Sequence, residues 1–172
     1  DSIQRHGDLL RRYGEVISVG QQLEPMGADH EFGKYKAWVS RRWVAHLGQK
    51  PRVLPEKDLF LTAANMAIRK EIFVRLGRFD DVLSDAEDFD LSVRAASEGV
   101  DVVFDPQNIV DDRSFNNFGD YILRQRQYRI AHEQLRATRD SHEKFVLYNK
   151  YQVNKSFIKR IIYFFIPARV VP

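Results

Sequence analysis

Cysteine is absent from the 172-residue chain. That excludes a disulfide framework, a cysteine-ligated zinc or iron–sulfur centre and a thiol nucleophile, and it fits a reducing compartment. No apolar run reaches the roughly 18–20 residues of a membrane-spanning helix. The opening residues Asp1-Ser2-Ile3-Gln4-Arg5-His6 lack the charged-then-apolar order of a signal peptide. There is no initiator Met, so the chain is expected to begin inside a longer protein. Internal repeats and low-complexity tracts are missing too. Gly14, Gly20, Gly27 and Gly33 do not make a phosphate-cradling loop between a strand and a helix. The five histidines, His6, His30, His46, His132 and His142, show no metal-ligand spacing, and surface or core roles are expected of each.

What is present describes an ordinary globular chain. Hydrophobic residues make up 44% and charged residues 30%, enough to bury a core in about one domain. The net charge of +3 hides an asymmetry. Residues 79–112 hold eleven acids and one base, a net of −10, whereas residues 113–172 hold twelve bases and four acids, a net of +8. The acidic centre is a place for catalysis or a metal, the basic tail for phosphates or an anionic membrane; for any single charge a solvated surface is the plainer reading. With no nucleic-acid motif beside the bases, a nucleic-acid partner is not expected.

Hydrophobic periodicity predicts alternating helices and strands. A helix is expected over 7–13, then a strand at Val16-Ile17-Ser18-Val19-Gly20 and a loop over 21–34. Tyr35, Trp38, Trp43 and Leu47 mark an amphipathic helix over 35–47. Its aromatics suit a core or a sugar-stacking groove. Pro51 and Pro55 bracket a linker. Phe60-Leu61-Thr62-Ala63-Ala64 reads as a short buried strand, and Lys70 to Leu76 as a helix stopped by Gly77. A helix over about 85–98 stops at Gly99, and Val100 to Phe104 forms a strand ending at Asp105-Pro106. A long arginine-rich helix is expected from Phe118 to Ala137, with two more near 141–151 and 156–166.

The acidic centre carries the sharpest local signal. Ser84-Asp85-Ala86-Glu87 matches a capping box, with Glu87 reaching back to Ser84. Asp90 stands four residues before Arg94, the favourable order for a helix ion pair. Asp88, near the positive end of the helix dipole, has no partner that spacing supplies. Such a carboxylate is a candidate general base or metal-linked group.

Several stretches resemble the inverting family-two glycosyltransferases. Thr62-Ala63-Ala64-Asn65-Met66-Ala67-Ile68-Arg69-Lys70-Glu71-Ile72-Phe73 is similar to that family's "aNmaiRr-x-x-F" segment. Leu76-Gly77-Arg78-Phe79-Asp80 looks like its "GgFDe" turn, and Glu87-Asp88-Phe89-Asp90-Leu91-Ser92-Val93-Arg94 resembles its "EDxDLxxR" signature. The resemblance covers about 7–135. It implies an α/β fold, a partial GT-A (Rossmann-like) domain with a short mixed sheet and helices over residues 1–138, followed by a helical, basic region over 139–172.

The resemblance also implies roles. Asp88 would be the base that deprotonates the acceptor hydroxyl, with Glu87 beside it as helix cap or acceptor contact. Asn65 would lie near the donor sugar, and Asp90 in the same binding region. Arg124, Arg126 and Arg129 could reach a diphosphate, or lie exposed on their helix. The implied reaction moves a sugar from a nucleotide-sugar to a hydroxyl of a saccharide or lipid-linked acceptor, as in polysaccharide biosynthesis. The complete enzyme would use a divalent cation, Mn²⁺ or Mg²⁺, on the leaving diphosphate. Where the family often has a metal-holding histidine, this chain has Asp112 beside Asp111, a carboxylate ligand or a solvated turn. Gln125-Arg126-Gln127-Tyr128-Arg129 does not match the Gln-x-x-Arg-Trp of processive members.

No Asp-x-Asp stands upstream, and the family's nucleotide-binding strands would precede residue 16. The chain therefore reads as the acceptor-side half of a catalytic domain, inactive alone and completed at an open sheet edge by a missing N-terminal half or another chain. Residues 155–167 set Lys155, Lys159 and Arg160 around apolar residues. That segment either docks on the core or lies in a membrane interface. A cytoplasmic protein, peripheral at the membrane face, is expected. The alternative is a non-catalytic module that binds a membrane surface or a partner chain.

Overall fold

The computed structural model describes residues 1–24, 31–83, 85–112 and 118–139. The segments expected to be helical near 141–151 and 156–166, the stretch 155–167 and Ser84 lie outside the described residues. The architecture is α/β, with a small mixed four-stranded sheet and helices. In chain order the elements are α1 (Ser2–Tyr13), β1 (Val16–Leu23), α2 (Glu31–Val44), β2 (Arg52–Val53), β3 (Met66–Ile68), α3 (Lys70–Arg75), α4 (Glu87–Ser97), β4 (Asp101–Asp111) and α5 (Phe118–Arg139). Short 3-10 turns cover Ala45–Leu47, Glu56–Asp58 and Ala63–Asn65.

The sheet order is β2-β4-β1-β3. β1 and β4 run parallel at the centre, and β2 and β3 are antiparallel edges. Period-two alternation sorts the two central strands. Ile17 and Val19 of β1, with Val102 and Phe104 of β4, join Val44, Leu47, Phe60, Ile72 and Leu91 in the main core. Val16 and Val103 turn the other way, onto Leu9 of α1. Ser18, Gly20 and Asp105 share that second face, so α1 covers a partly polar surface. Both faces of β1 are thus buried, as a parallel pair requires.

α1 starts at Asp1, whose carboxylate accepts from the Ile3 amide at 2.9 Å, a side-chain cap. Several elements differ from expectation. β1 runs past Gly20 to Leu23, α2 opens at Glu31 within the expected loop, and the short β2 lies inside the expected linker. Phe60 and Leu61 are buried in the core, but the strand comes later, at Met66–Ile68, paired Ile17↔Ile68 and Val19↔Met66. β4 does not stop at Asp105-Pro106. Its pairing with β1 jumps from Val19↔Phe104 to Gln21↔Ile109, an irregularity that accommodates the missing amide of Pro106. Finally, α4 begins at Glu87 with Ala86 as its N-cap and no side-chain cap. The helix therefore starts two residues later than the Ser84 capping box requires, with Glu87 as its first residue rather than its third.

Candidate functional site

The amino end of α4 gathers the charges. Its first turn carries Glu87, Asp88 and Asp90. The chain enters through Ala86 in a left-handed conformation, φ 64°. For alanine that backbone costs roughly 1 kcal/mol. Its side chain is buried with Leu83, Val93, Ala131 and Leu135, which offsets the strain.

Asp88, like Glu87, is half-buried in this turn. Its Oδ2 accepts from the Ala63 amide at 3.1 Å, and its Oδ1 from the Phe89 amide at 2.7 Å. Burial raises its pKa above the ordinary carboxylate range. The two amides pull the other way, and the charges of Glu87 and Asp85 add a small rise. The result is a carboxylate more basic than a surface aspartate and fixed in direction. The partner absent from the spacing pattern is a backbone amide of the 3-10 turn at Ala63–Asn65. Beside it, Asp85 pairs with Arg124 of α5, whose guanidinium also lies over the Tyr128 ring at 4.2 Å.

Asp88, Glu87 and Arg124 thus belong to one neighbourhood. The other expected residues lie elsewhere. Asp90 is fully buried, and its Oδ2 accepts from Arg94 Nε at 2.8 Å. Arg94 in turn donates to the carbonyls of Leu76 and Arg78. This pair fastens the turn after α3 to α4 and sets Asp90 in the interior of the fold. Arg126 and Arg129 are exposed on α5, and Arg129 pairs with Glu133 at 2.9 Å.

Asn65 turns away from Asp88 into a buried network under α1. Its Oδ1 faces His6 Nε2 at 2.9 Å and accepts from Ser2 Oγ at 3.1 Å. Its Nδ2 donates to the carbonyls of Gln21 and Asn108. The other ring nitrogen of His6 lies 2.8 Å from Ser18 Oγ. A Cβ on Gly20 would collide with Asn65 Nδ2 and the Asn108 carbonyl, so only glycine lets the network close over β1.

Asp112 lies just past β4 and accepts from Lys36 Nζ at 2.9 Å. The same ammonium pairs with Glu24, at the end of β1. Asp112 thus faces a resident cation, not an open coordination position. Among the described residues no group of three or more His, Cys, Asp or Glu side chains is placed to hold a metal ion. Lys36 was legible in principle, because it shares the buried face of α2 with Gly33, Ala37 and Val44, and a lysine there needs an acid.

The aromatics of α2 are divided. Trp43 is 61% exposed, with its ring 5.1 Å from that of Phe60. Tyr35 and Trp38 lie half-buried, 6.3 Å apart. No helix among the described residues is long and apolar enough to cross a membrane. No family profile, curated protein or solved structure matches the chain.

Proposed function

We propose that this chain is the acceptor-side part of a GT-A glycosyltransferase domain. In this reading Asp88 takes the proton of an acceptor hydroxyl while that oxygen bonds to the anomeric carbon of a nucleotide-sugar. The carbon–oxygen bond to phosphate breaks, and the nucleoside diphosphate leaves with its electron pair. The single observation that carries the reading is the hydrogen bond from the Ala63 amide to Asp88. It ties together two stretches 25 residues apart that resemble the same family. Burial makes Asp88 a stronger base while leaving it in reach of solvent. Arg124, held by Asp85 on the same rim, offers positive charge near the site. The acceptor is a saccharide or lipid-linked hydroxyl, and the nucleotide-binding part comes from another segment or chain.

Asp88→Asn in the full-length protein that carries this chain tests the assignment. Transfer from UDP-, GDP- or dTDP-sugars should fall at least ~100-fold, the usual scale for loss of a general base, with the circular dichroism unchanged. Equal turnover would refute it.

A second reading has its own observation. α5 exposes Leu123 and Ile130, 56% and 55% accessible, two turns apart beside Arg126. That face suits an anionic membrane or a partner chain, together with Lys155, Lys159 and Arg160. Vesicles rich in phosphatidylglycerol should sediment the chain at low salt, and Gln at those three positions should release it. No sedimentation of the unaltered chain would dismiss this reading.

A further inference from the structure

The parallel strands β1 and β4 run out at the same end of the sheet, into Glu24 and Asp112. In open α/β sheets this carboxyl end is where side chains from separate strands converge on a ligand. Here both carboxylates converge on Lys36. Its Nζ pairs with Glu24 and lies 2.9 Å from Asp112 Oδ2. Lys36 and Glu24 are only 6% and 7% exposed, and the Asp112 side chain only 13%. Asp88 is tied to β1 through the 3-10 turn at Ala63–Asn65. It holds the Ala63 amide, and the neighbouring Thr62 donates to Gln22 of β1 at 3.2 Å.

A buried ammonium is tolerated only with acids around it. Two carboxylates from different strands, facing one centre, are also what a hard divalent cation asks for. The two occupants exclude each other. Mg²⁺ binds oxygen at about 2.0–2.1 Å, so on Asp112 Oδ2 it would sit at most about 5 Å from the ammonium, with little water to screen the repulsion.

We propose that Lys36 is a built-in cation: its ammonium occupies, between Glu24 and Asp112, the place a divalent metal would take at the carboxyl end of the sheet, and it closes Asp112 to metal. The proposal goes beyond the glycosyl-transfer reading and stands without it. If that reading holds, transfer by this chain draws on no metal held by Asp112.

Manganese binding provides the test, read from the paramagnetic resonance of free Mn²⁺ and from melting temperature. The unaltered chain and Asp112→Asn should leave the same free Mn²⁺ signal. Lys36→Met, with two carboxylates facing each other, should melt lower. Added Mn²⁺ should raise its melting point and deplete the free signal, and Asp112→Asn on top should abolish both effects. Lys36→Arg, which keeps the charge, should stay indifferent to Mn²⁺. The proposal fails if the unaltered chain takes up Mn²⁺ and loses it on Asp112→Asn. It fails equally if a folded Lys36→Met shows no response to Mn²⁺. Should Lys36→Met not fold, the comparison of the unaltered chain with Asp112→Asn still decides. None of these readouts depends on sugar transfer, so failure here and failure of the transferase reading are separate results.

Discussion

Asp88 is favoured as a base by the same burial that makes it a poor contributor to stability. Its pKa in the folded chain is raised, chiefly by desolvation. A raised carboxylate pKa means that the folded state binds its proton more tightly than the unfolded chain. The stability it contributes is fully present below the unfolded pKa, about 4, and is lost as pH rises through the higher folded value. Asp88→Asn does not titrate. Urea unfolding of the two proteins should therefore show the difference moving in favour of aspartate as pH falls from about 7 towards 4. A difference flat across that window would mean that Asp88 is not desolvated. Gly20 shows the other side of the residue scale. In the sequence it looks like the glycine that stops a strand, yet the strand runs on to Leu23. Its purpose is steric, and it appears only once Asn65 is seen lying against it.

At the scale of elements, α4 and the turn behind it behave as one piece. Arg94 reaches from Asp90 to the carbonyls of Leu76 and Arg78. Between those carbonyls the backbone takes two successive left-handed residues, Gly77 and Arg78, φ 84° and 63°. Arg94→Met removes the guanidinium that faces a fully buried carboxylate and frees both carbonyls. Breaking a buried pair costs about 3–5 kcal/mol, so a drop of at least ~3 kcal/mol is expected in chemical denaturation. Asp90→Asn together with Arg94→Met should recover part of it. A loss below about 1 kcal/mol would mean that solvent already screens the pair. The four-residue spacing of Asp90 and Arg94 made this contact legible in advance. The end of α4 at Gly99 was legible for a similar reason, since Gly99 takes φ 73°. The start was not, because Ala86 adopts a conformation that alanine rarely takes. Nor was the length of β4. Pro106 reads as a terminator, and only the shifted register with β1 shows how the strand continues past it.

Across the whole molecule, the alternation of helices and strands was enough to expect an α/β architecture, while the short mixed sheet was expected only from the family resemblance. The partners of buried polar groups were out of reach, because Lys36–Asp112 and His6–Asn65 join residues 76 and 59 apart. The same distinction between local and distant contacts bears on stability. β1 and β4 are buried on both faces, between α1 and the main core. α5 is attached differently. Its Ala131 and Leu135 are completely buried against Leu83, Ala86 and Val93, while Leu123 and Ile130 on the same helix stand exposed. A 22-residue helix held by this small cluster, by Phe118 and Tyr121 against Phe32 and by Arg124 on Asp85, all away from the sheet strands, should open without disturbing the sheet. Leu135→Ala removes the larger of its two fully buried anchors. Leu-to-Ala changes in cores cost about 2–5 kcal/mol, so amide exchange along α5 should quicken ~30-fold or more. The amides of β1 and β4, which exchange through global unfolding, should keep their rates. If exchange in the strands accelerates as much as in α5, the helix is part of the cooperative core. The exposed face at Leu123 and Ile130 would then be the surface of one rigid body, and the arginine that pairs with Asp85 would be fixed beside Asp88 as firmly as the strands themselves.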